Sequence, residues 1–111
     1  MTASREFADF VVEQMAAFAR VRAKRMFGGY GLYRDELMFA LIVDDQLYLK
    51  ADDDSVAAFR ARDLPPFTYE SRGRTVALRY YAAPPEVFDS PDEMRAWARR
   101  AWECAVRARR G

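Results

Sequence analysis

The chain has 111 residues, of which 51% are hydrophobic and 32% charged, with a formal net charge of +1. That length supports one domain around one core, and the composition excludes an intrinsically disordered chain. The balance of charge excludes the strongly basic character of a dedicated nucleic-acid binder, though not a local basic patch.

Residues 4 to about 19 are predicted as a helix. Phe7, Val11, Met15 and Phe18 recur at i+4 and i+3, with Phe10 beside them, while Arg5, Glu6, Asp9, Glu13 and Arg20 fall largely outside that stripe. The strands that follow are the apolar surface available to cover it. From Ala23 to Ala51 the period changes. A strand near Ala23–Phe27 meets Gly28-Gly29, whose backbone freedom permits a turn or a bulge. Tyr30–Arg34 is the next strand and Asp35-Glu36 a turn. Leu37–Val43 is almost wholly apolar, so it is predicted as a central strand covered on both faces. Asp44-Asp45 joins it to Gln46–Lys50, with the hairpin type left open because glycine is missing.

Asp52, Asp53 and Asp54 precede a short helix predicted at Ser55–Phe59, where carboxylates suit the exposed amides and positive dipole end. Leu64-Pro65-Pro66 stops it. A hairpin follows, Phe67–Ser71 and Thr75–Ala82 around Arg72-Gly73-Arg74. Val76, Leu78 and Tyr80 alternate there with Thr75, Ala77, Arg79 and Tyr81, the pattern of a half-buried strand. Ser90, Pro91 and Glu93 carry the capping-box signature of a last helix. Met94, Trp97, Ala98, Ala101 and Ala105 supply its apolar face, and Arg107, Arg109 and Arg110 close it where cations suit the dipole. The expected fold class is α+β: an N-terminal helix, an antiparallel sheet of about five to six strands with a short helix inserted, and a C-terminal helix packed on the sheet.

Catalytic chemistry is poorly served. Without histidine the usual base near neutral pH and the Ser-His and Cys-His arrangements are missing. The carboxylates cluster in predicted turns and helix starts, which explains them without a reaction. Cys104 is the one cysteine, so no internal disulfide forms; it reads as a buried helix residue, with Arg100 and Arg107 near it in sequence. Neither a metal nor a cofactor is expected, and Gly28, Gly29 and Gly31 precede strand-like sequence rather than the lysine or helix that a phosphate loop requires. The N-terminus lacks the apolar core of a signal peptide, and no segment approaches the roughly 18 apolar residues of a membrane span, so a cytoplasmic location is expected.

Two surfaces remain. Arg20, Arg22, Lys24 and Arg25 form one basic group, and Arg99, Arg100, Arg107, Arg109 and Arg110 another; with the tyrosines these are candidates for nucleic-acid contact, although a solvated face is the favoured explanation. Large rings form the second. Trp102 lies five residues after Trp97 and so points roughly 140° away on a helix. Tyr81, Phe88 and Trp102 are therefore candidate partner-surface residues, with intramolecular packing the favoured alternative.

Arg25-Met26-Phe27-Gly28-Gly29-Tyr30-Gly31-Leu32-Tyr33, followed by Met38-Phe39-Ala40-Leu41-Ile42 and by Leu47-Tyr48-Leu49-Lys50-Ala51-Asp52, resembles the N-terminal domain of the TfoX/Sxy family of competence regulators. Pro66-Phe67-Thr68-Tyr69, Leu78-Arg79-Tyr80-Tyr81 and Pro85-Glu86-Val87-Phe88 are similar to the same family's later signatures. The resemblance implies that residues 1–111 form a single domain of this type, an antiparallel sheet with helices packed on it. It also implies a regulatory rather than catalytic role, in a family linked to competence genes and to a cyclic-AMP receptor-type activator. Met26, Phe27, Gly28, Gly29, Tyr30 and Gly31 carry over as structural positions with a candidate interaction role. The chain departs from the family at Glu36, where glycine is common, and is expected to stand without the C-terminal helical domain of full-length members. The resulting expectation is a non-enzymatic regulatory or adaptor domain acting through protein–protein contacts in transcriptional regulation, as a homodimer and with a protein partner such as the transcription machinery. The alternative is a DNA-associated accessory factor that uses the basic groups at 20–25 and 99–110.

Overall fold

The structure, a computed structural model, describes residues 4–26 and 28–110, so the motif residue Phe27 lies outside the described residues. In chain order it contains α1 (Arg5–Gln14) continued by a 3-10 turn (Met15–Ala17), β1 (Arg22–Met26), β2 (Gly29–Arg34), β3 (Leu37–Val43), β4 (Gln46–Lys50), α2 (Val56–Arg60), β5 (Pro66–Ser71), β6 (Arg74–Ala82), a second 3-10 turn (Pro85–Phe88) and α3 (Pro91–Arg110). The six strands form one antiparallel sheet in the order β1-β2-β3-β4-β6-β5. This is the α+β arrangement expected from the sequence.

Both long helices start where their caps say. The Ser4 hydroxyl accepts from the Phe7 amide at 3.1 Å, and the Ser90 hydroxyl accepts from the Glu93 amide at 3.2 Å. Ala8, Val11 and Met15 of the first helical segment are buried, and so are Met94, Trp97, Ala98, Ala101 and Ala105 of α3, the face its periodicity marked. Phe10 departs from the expected stripe: it is 41% exposed and stacks with Phe88 rather than entering the core. Helix α3 packs on β3 and β4 and is flanked by the 3-10 turns, with α1 against β1, around a core that includes Leu32, Phe39, Ile42, Leu47 and Leu49, all fully buried.

Three tight turns share one geometry. Asp35-Glu36, Asp44-Asp45 and Arg72-Gly73 each hold both residues at φ between 51° and 77°, the left-handed pair whose twist matches antiparallel strands. The hairpin type at Asp44-Asp45 is thereby fixed without glycine, and the Asp45 carboxylate accepts from the Ser4 amide at 2.7 Å, tying the turn to the start of α1.

The expectation for Leu37–Val43 needs correction. The strand has the expected limits, but described elements cover only one of its faces. Leu32 pairs with Ala40 and Tyr33 with Met38, which leaves Phe39 as the extra residue of a bulge. The bulge shifts the alternation: Phe39, Ala40 and Ile42 enter the helix-side core, while Met38, Leu41 and Val43 turn to the opposite side. The apolar run is continuous because one half serves the core and the other half an uncovered face. The alternation in β6 divides in the same way. Tyr81 is on the helix side, stacked on Phe59 at 5.4 Å, whereas Leu78 and Tyr80 lie on the uncovered side.

Candidate functional site

The sheet face opposite the helices is a depression of about 500 Å³ lined almost wholly by apolar groups. Its construction begins at Gly31, where a Cβ would stand 2.8 Å from both the Met26 and the Met38 sulfur. Without that Cβ, Met26 on the edge strand leans across β2 toward Met38, and the two thioethers cover the motif backbone. At the other edge Phe67 leans across β6, its ring 5.3 Å from that of Tyr48 in β4 and 6.3 Å from Tyr69. Side chains from both edges therefore rise over a floor of Leu41, Val43 and Leu78. Tyr69 and Leu78 stay 43% and 37% exposed, unusual values for large apolar groups clustered in one hollow.

Cations border this face. The Lys24 ammonium sits 4.9 Å from the Tyr33 ring centre, and the Lys50 ammonium 5.0 Å from that of Tyr80. Burial pushes the Tyr80 hydroxyl up to about 12, with Tyr33 adding to the effect, so it remains a neutral donor.

The other described motif residues, Gly28, Gly29 and Tyr30, lie in the turn and the packed sheet. Tyr30 points to the helix side, is 4% exposed and carries the Arg25 guanidinium over its ring at 5.3 Å; its hydroxyl is buried with no hydrogen-bond partner among the described residues. Gly29 faces the Ile42 carbonyl and Gly28 turns at φ 79°. Tyr81, Phe88 and Trp102 are all partly buried against the core: Phe88 packs on Phe7, and Trp102 meets Phe39 edge-on and carries the Arg34 guanidinium over its ring at 4.9 Å.

The basic residues divide. Arg20, Arg22, Lys24 and Arg25 are exposed in and before the edge strand β1, where Arg22 pairs with Glu36 at 3.8 Å. Arg109 and Arg110 are exposed at the end of α3. Arg25 lines a small hollow beside α1, whereas Arg99 and Arg107 line another beside α3. The cleft beside α3, about 910 Å³, is lined by Arg34, Arg95, Arg99 and Arg107 with Asp92, Glu103 and Trp102, a mixed-charge surface. Arg95 pairs there with Asp92 and Arg99 with Glu103.

Arg107 belongs to a structural network. Its Nε donates to Asp52 at 2.8 Å and its Nη2 to the Cys104 sulfur at 3.3 Å. Asp52 also accepts from the Ser55 and Asp54 amides, so it, rather than the Ser55 hydroxyl, caps α2. The Arg107 hydrogen bond, helped by those amides, lowers the Asp52 carboxyl to about 2. Cys104 is 1% exposed, and burial raises its thiol although Ser55 lies 3.1 Å away as a hydrogen-bond partner. That is the environment of an inert thiol, not a nucleophile. No group of three or more metal-ligating side chains converges among the described residues. No helix of the described residues is long and apolar enough to cross a membrane.

The sequence held a signal for the uncovered face, the unbroken apolar run of β3 beside the alternating one of β6, but not its meaning. Periodicity reports that both faces of a strand are apolar, not which of them another element covers.

A family model of the TfoX N-terminal domain matches residues 13–105. Protein Sxy of Escherichia coli (strain K12) is 36% identical over 70 residues, which is 62% of this chain and 33% of that protein. A Spirochaeta aurantia protein described as an uncharacterized 12.7 kDa protein in the trpE 5′ region is 42% identical over 53 residues, 48% of this chain and 46% of its own length. The matched segments thus span a third to a half of these curated relatives. With a six-stranded antiparallel sheet, its flanking helices and a match over most of its length, the chain belongs to the TfoX N-terminal domain family.

Proposed function

We propose that this chain is a non-enzymatic regulatory domain that acts by protein contact, and that the uncovered sheet face is its contact surface. The observation that carries this reading is the apolar hollow itself: Leu78 in its floor and Tyr69 in its wall remain solvent-exposed among buried and half-buried apolar side chains, on a domain whose other sheet face is packed. Monomeric proteins rarely keep such a patch without a use for it. The absence of histidine, the engagement of Asp52 with Arg107 and the sealed Cys104 support a role without catalysis. Membership of the family that includes Sxy supports regulation as the setting.

The test is transcript profiling of the host with the gene deleted, restored, or restored as the Leu78→Glu/Tyr69→Glu variant. A defined set of transcripts is expected to change on deletion, to recover with the unaltered chain and to stay changed with the variant. Profiles indistinguishable between deletion and parent would overturn the regulatory reading.

The alternative use of the arginines in DNA contact draws on one observation, the line of Arg34, Arg95, Arg99 and Arg107 along the α3 cleft. Those guanidiniums lie among acids of the same chain, which lowers the net charge available to phosphate. Fluorescence anisotropy of labelled duplex DNA at low and near-physiological salt decides it; tight binding that falls steeply with salt would favour the DNA reading.

A further inference from the structure

Resting on that contact surface, we infer that its occupant is an amphipathic helix with acidic flanks, seated lengthwise in the hollow of the uncovered sheet face. Shape comes first. Met26 and Phe67 lean inward from opposite edges of the sheet, so the surface is concave and needs a convex partner. Two identical hollows brought face to face would enclose a void rather than interdigitate, which disfavours a second copy of this chain as the occupant. A volume of about 500 Å³ accommodates a few large apolar side chains, the ridge that a helix offers at i, i+3, i+4 and i+7.

Lining chemistry agrees. Methionine at positions 26 and 38, with Leu41, Val43 and Leu78, gives a deformable aliphatic centre, and Phe67, Tyr69 and Tyr80 add aromatic walls, an apolar mixture of the kind that accepts helices. A stacking platform for single-stranded nucleic acid would instead present flat exposed rings and polar groups for base edges. Among the described rings lining the hollow only Tyr69, 43% exposed, is open to solvent; Tyr80 is 8% exposed beneath Lys50 and Phe67 is engaged with Tyr48 and Tyr69, so no run of successive rings is available for stacking.

Charge then sets the flanks. Lys24 and Lys50 are placed on this side by their contacts with Tyr33 and Tyr80, and strand alternation puts Arg22 and Arg74 on the same side. No aspartate or glutamate occupies a strand position facing this side; the nearby acids lie in turns and loops, Glu36 beside Arg22, Asp44 beside Tyr48, and Asp52, Asp53 and Asp54 past the end of β4, where Asp52 and Asp53 are engaged by Arg107 and Arg79. Lys24 and Lys50, which sit over rings rather than against acids, therefore give this face the cations that attract carboxylates.

The test uses the purified full chain and three fluorescein-labelled peptides of roughly 18 residues, about five helical turns. One carries leucine at i, i+3, i+4 and i+7 with glutamate on its other face. The second scrambles that composition, and the third replaces glutamate with lysine. Anisotropy is expected to show saturable binding of the first, with the other two at least about tenfold weaker, and weakening as salt rises. Leu78→Glu should reduce affinity at least about tenfold and Lys24→Glu/Lys50→Glu about fivefold, with circular dichroism confirming that each variant is folded. No binding, equal binding of the lysine peptide, or indifference to Leu78→Glu overturns the inference. So does tighter binding of labelled oligo-dT at the same face, or a sedimentation dimer that Leu78→Glu dissociates. Failure here with transcript effects intact would sink the acidic-helix occupant and leave the regulatory reading standing; helix binding without transcript effects would do the reverse.

Discussion

Gly29 and Gly31 sit two residues apart in β2 and answer a methyl group differently. A Cβ at Gly29 would stand on the Ile42 carbonyl oxygen, a backbone atom of the paired strand that cannot yield without breaking the ladder. A Cβ at Gly31 would meet side-chain atoms instead, the sulfurs of Met26 and Met38 and, at 3.1 Å, the edge of the Tyr33 ring. Gly29→Ala is expected to cost about 3 kcal/mol and Gly31→Ala about 1 kcal/mol, measured by urea unfolding at constant m. Asp52 offers a second residue-scale test. Its folded pKa, about 2, lies below the ordinary 3.8, so its stabilisation is complete above the unfolded value and is lost as pH falls through the folded one. The side chain is 28% exposed, which moderates the effect. Asp52→Asn should therefore destabilise by about 1 kcal/mol at neutral pH, and the two unfolding curves should converge as pH drops from about 4 toward 2.

At the scale of elements, the hairpins are the part under local strain. Asp35-Glu36 holds both residues in the left-handed region, Glu36 at φ 68°, and the exposed Arg22–Glu36 pair at 3.8 Å offsets little of that. Glu36→Gly relieves the strain at the cost of a more flexible unfolded chain, leaving a net gain of roughly 0.5 kcal/mol. The checking measurement is the melting temperature, expected to rise by about 2–4 °C. The helices behave oppositely: the cap at Ser90 and the buried stripe from Met94 to Ala105 agree with each other, so α3 was readable from its own sequence. The phase of β3 was not. Its bulge at Phe39 arises from pairing with β2 and leaves no mark in a run of apolar residues.

Across the whole molecule the sheet separates two environments. Charge introduced on the helix side meets a packed core, whereas charge at an exposed position of the other side, such as Leu78, meets water. Leu78→Lys should shift unfolding by no more than about 0.5 kcal/mol, while Ala98→Lys, at a position 0% exposed, should abolish cooperative folding as followed by circular dichroism.

Local chemistry determined most of the architecture. Apolar period marked the helices and strands, the Ser90 capping box marked the start of the last helix, acidic pairs marked two of the turns, and missing histidine removed the common catalytic arrangements. The tertiary structure alone decided which sheet face the helices cover, that Cys104 is sealed by Ser55 and Arg107, that Phe10 stays outside, and that Met26 and Phe67 lean inward to make a hollow. The reason is physical. Periodicity and capping are set within a few residues of chain, but burial is a property of what packs from elsewhere, and an apolar strand face reads the same whether a helix, a partner or water lies against it.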